Sequence, residues 1–123
     1  MYKKIEIPIY EQDLHICIYK TIKKAYQVLK KKKIDCEFNE DDFESKAIVS
    51  MYFSDYGAVL ILTEKEVTYG TIAHEIDHIV HELLKFIGMK RTDASEEAYS
   101  YLKGYLLKKI SLEIKAKGIK IND

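Results

Sequence analysis

Three side chains near the middle of the chain have the types and the spacing of a zinc-hydrolase motif. They are His74, Glu75 and His78, in the pattern His-Glu-x-x-His. Histidines at i and i+4 lie one turn apart on the same side of a helix, so both imidazoles can bind one zinc ion. The glutamate then lies beside the metal-bound water. A solvent-exposed pair of histidines without a metal, or a chance occurrence of the pattern, is the alternative interpretation.

The element that must position these side chains is an amphipathic helix over residues 70–84. At about 100° per residue, the histidines lie roughly opposite a single apolar stripe. That stripe consists of Ile72, Ile76, Ile79, Val80, Leu83, Leu84 and Ile87. His81 shares the histidine side, but it lies about 10 Å further along the axis than His74. One ion cannot bind both from an unbroken helix, so we expect His81 at the rim of the site.

A third ligand is expected from the following helix, which the sequence predicts from about Glu96 to Lys117. Gly88 is a plausible stop for the motif helix, because glycine favours the residue after a helix end. Glu96 and Glu97 open the new helix, where acidic side chains also suit the helix dipole. Their position a short turn after the motif makes either of them a candidate ligand.

Both segments together resemble the small zincin-type metallopeptidases of bacteriophages and mobile elements. Residues 70–78 read Gly-Thr-Ile-Ala-His-Glu-x-x-His, and residues 96–105 read Glu-Glu-Ala-Tyr-Ser-Tyr-Leu-Lys-Gly-Tyr. In that family the zinc helix is followed by a helix that opens with an acidic residue and then Glu-Ala-x-x-Tyr-Leu-x-Gly-Tyr. The resemblance covers about the last half of the chain. It implies a gluzincin site in which Glu97, rather than Glu96, is the third zinc ligand.

This site predicts the hydrolysis of peptide bonds in a protein or peptide substrate. Zinc held by His74, His78 and Glu97 would leave a fourth position for water and would lower the pKa of that water to about 7. Glu75 would take the proton of the water and return it to the leaving amine.

The last helix also offers a second catalytic candidate. Glu97, Tyr101 and Gly104 lie along one edge, which we expect to face the motif helix. Tyr101 could then donate its hydroxyl to a developing oxyanion, although a packed tyrosine is the simpler interpretation. The broad apolar face of this helix is predicted to contain Ala98, Tyr101, Leu102, Tyr105, Leu106 and Leu112.

Composition narrows the possible functions. The chain has 123 residues and no net charge, which gives no global electrostatic reason to expect a nucleic-acid or anionic-membrane partner. Cys17 and Cys36 are too few for a disulfide framework and are expected to be reduced and buried. No signal peptide or run of transmembrane length is visible, so we expect a cytoplasmic protein. Oligomeric state is left open.

The first half of the chain predicts a small sheet with one helix. Pro8 makes the first strand an edge strand at best, and His15 is expected to be a half-buried strand residue rather than a ligand. The predicted elements are a strand over 4–10 with Ile5, Ile7 and Ile9 on one face, a strand over 14–19, a helix over 21–33, a short strand over 34–38, and strands over 46–54 and 58–63 joined by a hairpin.

These elements predict one α+β domain over residues 1–123, with a small, mostly antiparallel sheet backed by helices. The resemblance implies a zincin-like arrangement, with the motif helix followed by the ligand helix. Two other functions stay open. One is a non-catalytic binding or inhibitor module of a phage or mobile element on a degenerate zincin scaffold, and the other is a structural or assembly protein with incidental histidines.

Overall fold

The computed structural model describes residues 1–8 and 10–123. They divide into two compact units, Met1–Val67 and Thr68–Asp123. The first holds a four-stranded, mostly antiparallel sheet and one α-helix, and the second holds two α-helices. The predicted α+β class is therefore confirmed, whereas the single domain stays a prediction. No helix in the described part of the chain is both long and apolar enough to cross a membrane.

The sheet contains four strands in the order β1-β2-β4-β3. The β1–β2 and β3–β4 pairs are antiparallel, and the β2–β4 pair is parallel. The predicted edge position of β1 and the predicted central position of β4 are confirmed, since β4 is buried in all but its last residue. The strands are β1 Tyr2–Ile7, β2 Gln12–Tyr19, β3 Ala47–Tyr52 and β4 Gly57–Thr63.

Helix α1, Ile22–Lys31, lies in the chain between β2 and the edge strand β3. It begins after Thr21, whose hydroxyl accepts a hydrogen bond from the backbone N–H of Lys24 at 3.1 Å. Its apolar stripe packs on one face of the sheet and closes a core that also holds both cysteines, which are free. The buried residues of this core are Cys17, Ile22, Ala25, Leu29, Ile34, Cys36, Val59 and Ile61.

Residues 34–38 do not form the predicted strand. Ile34 and Cys36 are buried, so the alternation does report burial. However, the N–H of Ile34 bonds to Leu29 O at 3.0 Å and that of Cys36 to Ile34 O at 3.1 Å, so neither joins a ladder. The first strand also ends at Ile7, earlier than predicted, and the predicted role of Ile9 lies outside the described residues.

Helix α2, Tyr69–Phe86, is the predicted motif helix. Thr68 caps it by accepting a hydrogen bond from the N–H of Thr71 at 3.0 Å. It stops at Gly88, which has a φ of +84°, and the N–H of Met89 bonds back to Leu84 O at 2.8 Å. The predicted apolar stripe is buried except at Ile87, the last residue, which is exposed.

Helix α3, Glu96–Ala116, follows antiparallel to α2, but its buried face differs from the predicted one. Leu102 and Leu106 are buried as predicted, whereas Tyr101, Tyr105 and Leu112 are exposed. This helix has apolar side chains on two sides, so hydrophobic periodicity does not decide which side faces the core. The side that is buried consists of Tyr99, Leu102, Leu106, Ile110, Ser111 and Ile114.

His15 is a buried strand residue that bonds at both ring nitrogens. Its Nδ1 lies 2.7 Å from the hydroxyl of Tyr2, and its Nε2 lies 3.0 Å from the carbonyl oxygen of Tyr56. A carbonyl can only accept, so Nε2 carries the proton and Nδ1 accepts from Tyr2 in the neutral ring. Burial lowers the pKa of His15 below its ordinary value of 6.5.

We expect this histidine to make the folded state less stable in mild acid. Above the unfolded pKa of about 6.5 the ring is neutral in both states; as pH falls, only the unfolded chain takes up the proton, until the folded pKa is also passed. Urea unfolding should show that the free energy of unfolding falls between pH 7.5 and pH 5.5, and that it falls less in His15→Gln than in the wild type. The control His81→Gln, at an exposed histidine, should keep the wild-type difference. An unchanged difference in His15→Gln would exclude this assignment.

Candidate metal centre

The two motif histidines converge on the exposed side of α2. Their Nε2 atoms lie 3.2 Å apart, and the ring centroids are 4.9 Å apart with the planes at 81°. Both side chains are exposed. The helix that carries them is fixed by its buried stripe on the other side, so the pair is presented to solvent by a rigid element.

The Nε2 separation of His74 and His78 matches the geometry of two zinc ligands. On a tetrahedral ion, two nitrogens at about 2.0–2.1 Å from the metal lie about 3.3 Å apart. The same separation also fits a hydrogen bond in which one neutral ring donates to the other. The distance alone is therefore compatible with two corners of a zinc site.

Glu75 lies between the two histidines in sequence and is half-buried. Within the described residues, its carboxylate has no hydrogen-bond or ion-pair partner. A carboxylate without a cationic partner keeps its lone pairs available to accept a proton, which is what a general base requires. Glu75 therefore satisfies the chemical requirement for the predicted role.

Asp77, which lies between His74 and His78 in α2, connects the two helices of this unit. Its carboxylate forms an ion pair with Lys103 of α3 and lies 3.9 Å from the Arg91 guanidinium. The hydrogen bond from Lys103 lowers the pKa of Asp77. Arg91 also lies 3.5 Å from Glu96 and stacks over the Tyr99 ring at 5.0 Å. We call Asp77, Arg91, Glu96 and Lys103 the α2–α3 clasp.

The contacts between α2 and α3 show which residues of α3 lie level with the histidines. Asp77 pairs with Lys103, and nearer the end of α2 the ring of His81 lies 6.4 Å from that of Tyr99. Because the helices are antiparallel, the turn that carries the histidines faces residues 102–106 of α3, and none of these is acidic.

The predicted third ligand, Glu97, is therefore not brought to the histidines. It precedes Lys103 by six residues, which is about 9 Å along the axis at 1.5 Å per residue, and it is exposed. Glu96, the alternative, is held by Arg91. Among residues 1–8 and 10–123, no group of three or more histidine, cysteine, aspartate or glutamate side chains is placed to hold a metal ion.

Tyr101 does not face the site either. Its side chain is 75% exposed, and a Cβ added to Gly104 would meet nothing within 4 Å. The predicted edge of Glu97, Tyr101 and Gly104 therefore faces solvent rather than α2. The physical reason is that the other apolar side of α3, together with Lys103, packs toward α2. His81 is exposed and lies beside the Tyr99 ring, in agreement with a position outside the ligand set.

The clasp is the feature that the sequence patterns did not reveal. Asp77 occupies a variable position of the His-Glu-x-x-His motif, and Lys103 falls in a long amphipathic helix, so neither residue is singled out by spacing. An ion pair between two helices can be predicted only when the packing of the helices is known.

Comparison with models of protein families, with curated proteins and with solved structures finds no significant match to this chain. The resemblance to zincin-type metallopeptidases therefore rests on the motif residues in the sequence and stays a prediction.

Proposed function

We propose that this chain is a zinc-dependent metallopeptidase that hydrolyses a peptide bond in a protein or peptide. The observation that carries the proposal is the 3.2 Å separation of the Nε2 atoms of His74 and His78 beside the unpaired carboxylate of Glu75. When bound, zinc would supply a Lewis acid that polarises the scissile carbonyl and acidifies a water molecule.

The residues of the chain divide the remaining work. His74 and His78 would hold the ion through Nε2, so each ring must be neutral, with its proton on Nδ1 and none on Nε2. Glu75 would accept the proton of the attacking water on its carboxylate and give it to the leaving amine nitrogen. A reducing cytoplasm is the proposed compartment, and the two free, buried cysteines support it.

Glu97 stays the third ligand that the resemblance implies, and its part must be tested apart from the histidines. For Glu97 to bind the same ion, α3 would have to leave the register held by Asp77 and Lys103. If Glu97 is not a ligand, the remaining positions fall to water, substrate or another oxygen or nitrogen donor.

Metal affinity tests the proposed ligands directly. We expect the purified chain, prepared without a polyhistidine tag, to bind Co²⁺ or Zn²⁺ with one ion per chain. His74→Ala and His78→Ala should each weaken binding by at least about 10-fold, whereas the matched control His81→Ala should bind like wild type. Titration followed by calorimetry and by the Co²⁺ absorption spectrum measures the affinity and the number of ions bound per chain. Equal binding by all three variants would refute the site, and Glu97→Gln reports whether α3 contributes.

A second function is favoured by the displaced position of Glu97. It is a non-catalytic binding or inhibitor module on a degenerate zincin scaffold, which would keep the helices but lack a complete ligand set. A peptide library incubated with the metal-loaded protein separates the two, with a chelator control. Metal binding without cleavage would favour the binding module.

A further inference from the structure

Helix α3 presents a second apolar stripe on the side that is not buried. Tyr101 is 75% exposed, Tyr105 is 42% exposed and Leu112 is 56% exposed. At 100° per residue these three side chains lie within about 40° of one another around the helix. We call them the outer stripe. Exposed apolar side chains scattered singly are ordinary, but three large ones on a single face mark a surface for association.

The outer stripe has charges of opposite sign at its two ends. Glu97 lies one turn before Tyr101, and Lys115 lies about one turn after Leu112, both within about 40° of Tyr101 around the axis. Both charged residues are exposed. The ammonium of Lys115 lies 5.5 Å from the centroid of the Tyr69 ring of α2.

Gly104 lies on the same side of α3 and removes a steric obstacle. It is exposed, and a Cβ there would meet nothing within 4 Å, so no packing inside the chain requires a glycine. Helices pack at 8–10 Å between axes, and the shorter separations need small residues at the contact. A glycine in the middle of an apolar surface therefore suits the close approach of another helix.

We propose that this surface binds the same surface of a second copy, with the two α3 helices antiparallel about a two-fold axis between residues 106 and 107. This register places Tyr101 opposite Leu112 of the second copy. It also places Tyr105 opposite Lys108 of the second copy, where an ammonium can lie over an aromatic ring. Glu97 then lies beside Lys115 of the second copy.

The order of the charges explains why the occupant is a second copy in this orientation. Glu97 lies at one end of the face and Lys115 at the other, with the three large side chains and Lys108 between them, so an antiparallel copy pairs each charged end with the opposite charge. A parallel copy would place Glu97 against Glu97 and Lys115 against Lys115. Two-fold interfaces use one self-complementary patch on both subunits, and the chain has no net charge to oppose association.

Sedimentation of the full chain tests the proposal. A single pair of helices makes a small interface, so we expect a weak dimer whose mass rises with concentration to twice that of the monomer. Chelator is present throughout, so that the exposed histidines cannot bridge two copies through a metal. Dimerisation is measured without metal, so this proposal can fail while the proposed function holds; Glu97 is the residue that both proposals use.

Substitution within the stripe should abolish the dimer. Leu112→Glu replaces an exposed side chain, so the fold should persist, as circular dichroism would show. The matched control is Tyr52→Glu, which places the same charge at a side chain that is 57% exposed on β3; it should dimerise like wild type. A wild-type chain that is monomeric at every concentration, or a Leu112→Glu dimer as tight as wild type, would overturn the proposal.

A charge exchange tests the orientation of the two helices. Glu97→Lys and Lys115→Glu should each weaken the dimer about tenfold, because symmetry makes each change act twice and replaces attraction with repulsion. The double variant should return to within about threefold of wild type at low salt. Two single variants with wild-type association, or a double variant weaker than both, would refute the antiparallel register.

Discussion

Replacing Glu75 by Gln is expected to abolish peptide hydrolysis while zinc binding is kept. The amide has nearly the shape of the carboxylate, but it cannot take a proton from the attacking water. Loss of a general acid–base typically reduces turnover by about 10²–10⁴-fold. His74 and His78 are unchanged, so the metal affinity should stay within about threefold of wild type.

The measurement pairs two readouts on the same preparation. Mass spectrometry of a peptide library gives the cleavage rate with zinc and with chelator, and calorimetric titration gives the metal affinity. Glu82→Gln is the matched control, since Glu82 is another half-buried glutamate of α2, outside the motif. Turnover that survives in Glu75→Gln would show that this carboxylate is not the base.

Replacing Gly57 by Ala is expected to destabilise the sheet strongly. Gly57 opens β4 with a φ of +90°, a conformation that side chains disfavour by about 1–2 kcal/mol. A Cβ at this position would also overlap the backbone carbonyl oxygen of Asp13 on the neighbouring strand β2. Because that carbonyl is part of the backbone, relief requires one strand to move, and we expect a total cost of about 4 kcal/mol.

Gly88→Ala separates the two causes. Gly88 has almost the same backbone conformation, with a φ of +84°, but a Cβ there would meet nothing within 4 Å. It should therefore lose only the conformational part, about 1–2 kcal/mol. Urea unfolding of both variants measures how much more free energy of unfolding Gly57→Ala loses than Gly88→Ala. Equal losses would mean that β2 and β4 accommodate the extra methyl without strain.

The α2 helix was predictable from sequence because one stripe of it is apolar and the other side is polar. Its stop near Gly88 and its buried residues, apart from the exposed Ile87, agree with the pattern. The orientation of α3 was not predictable. Leu102 and Leu106 share one side with Tyr99, but Tyr101, Tyr105 and Leu112 form a rival stripe of similar apolarity. The packing and the clasp distinguish these sides, and neither is a local property.

Part of the candidate site was also predictable from the sequence, and part was not. The His74–His78 pair is set by helix geometry alone, so its convergence followed from spacing. A third ligand depends on how two helices are rotated and shifted against each other. In the observed packing Lys103 lies opposite Asp77, and Glu97 lies about 9 Å further along the axis of α3. The buried alternation of residues 34–38 without a ladder is a similar case, since periodicity indicates burial but not a hydrogen-bond partner.

Every residue at positions 74–79 of α2 belongs to the candidate site, to the core or to the pairing with α3. His74, Glu75 and His78 form the candidate site, Ile76 and Ile79 are buried, and Asp77 pairs with Lys103 of α3. Random substitution in this segment should therefore be tolerated less well than in any other exposed part of the helix. Substitutions at Ile76, Asp77 or Ile79 would disturb the core or the helix pairing, so a change of chemistry in this segment would have to arise at positions 74, 75 and 78.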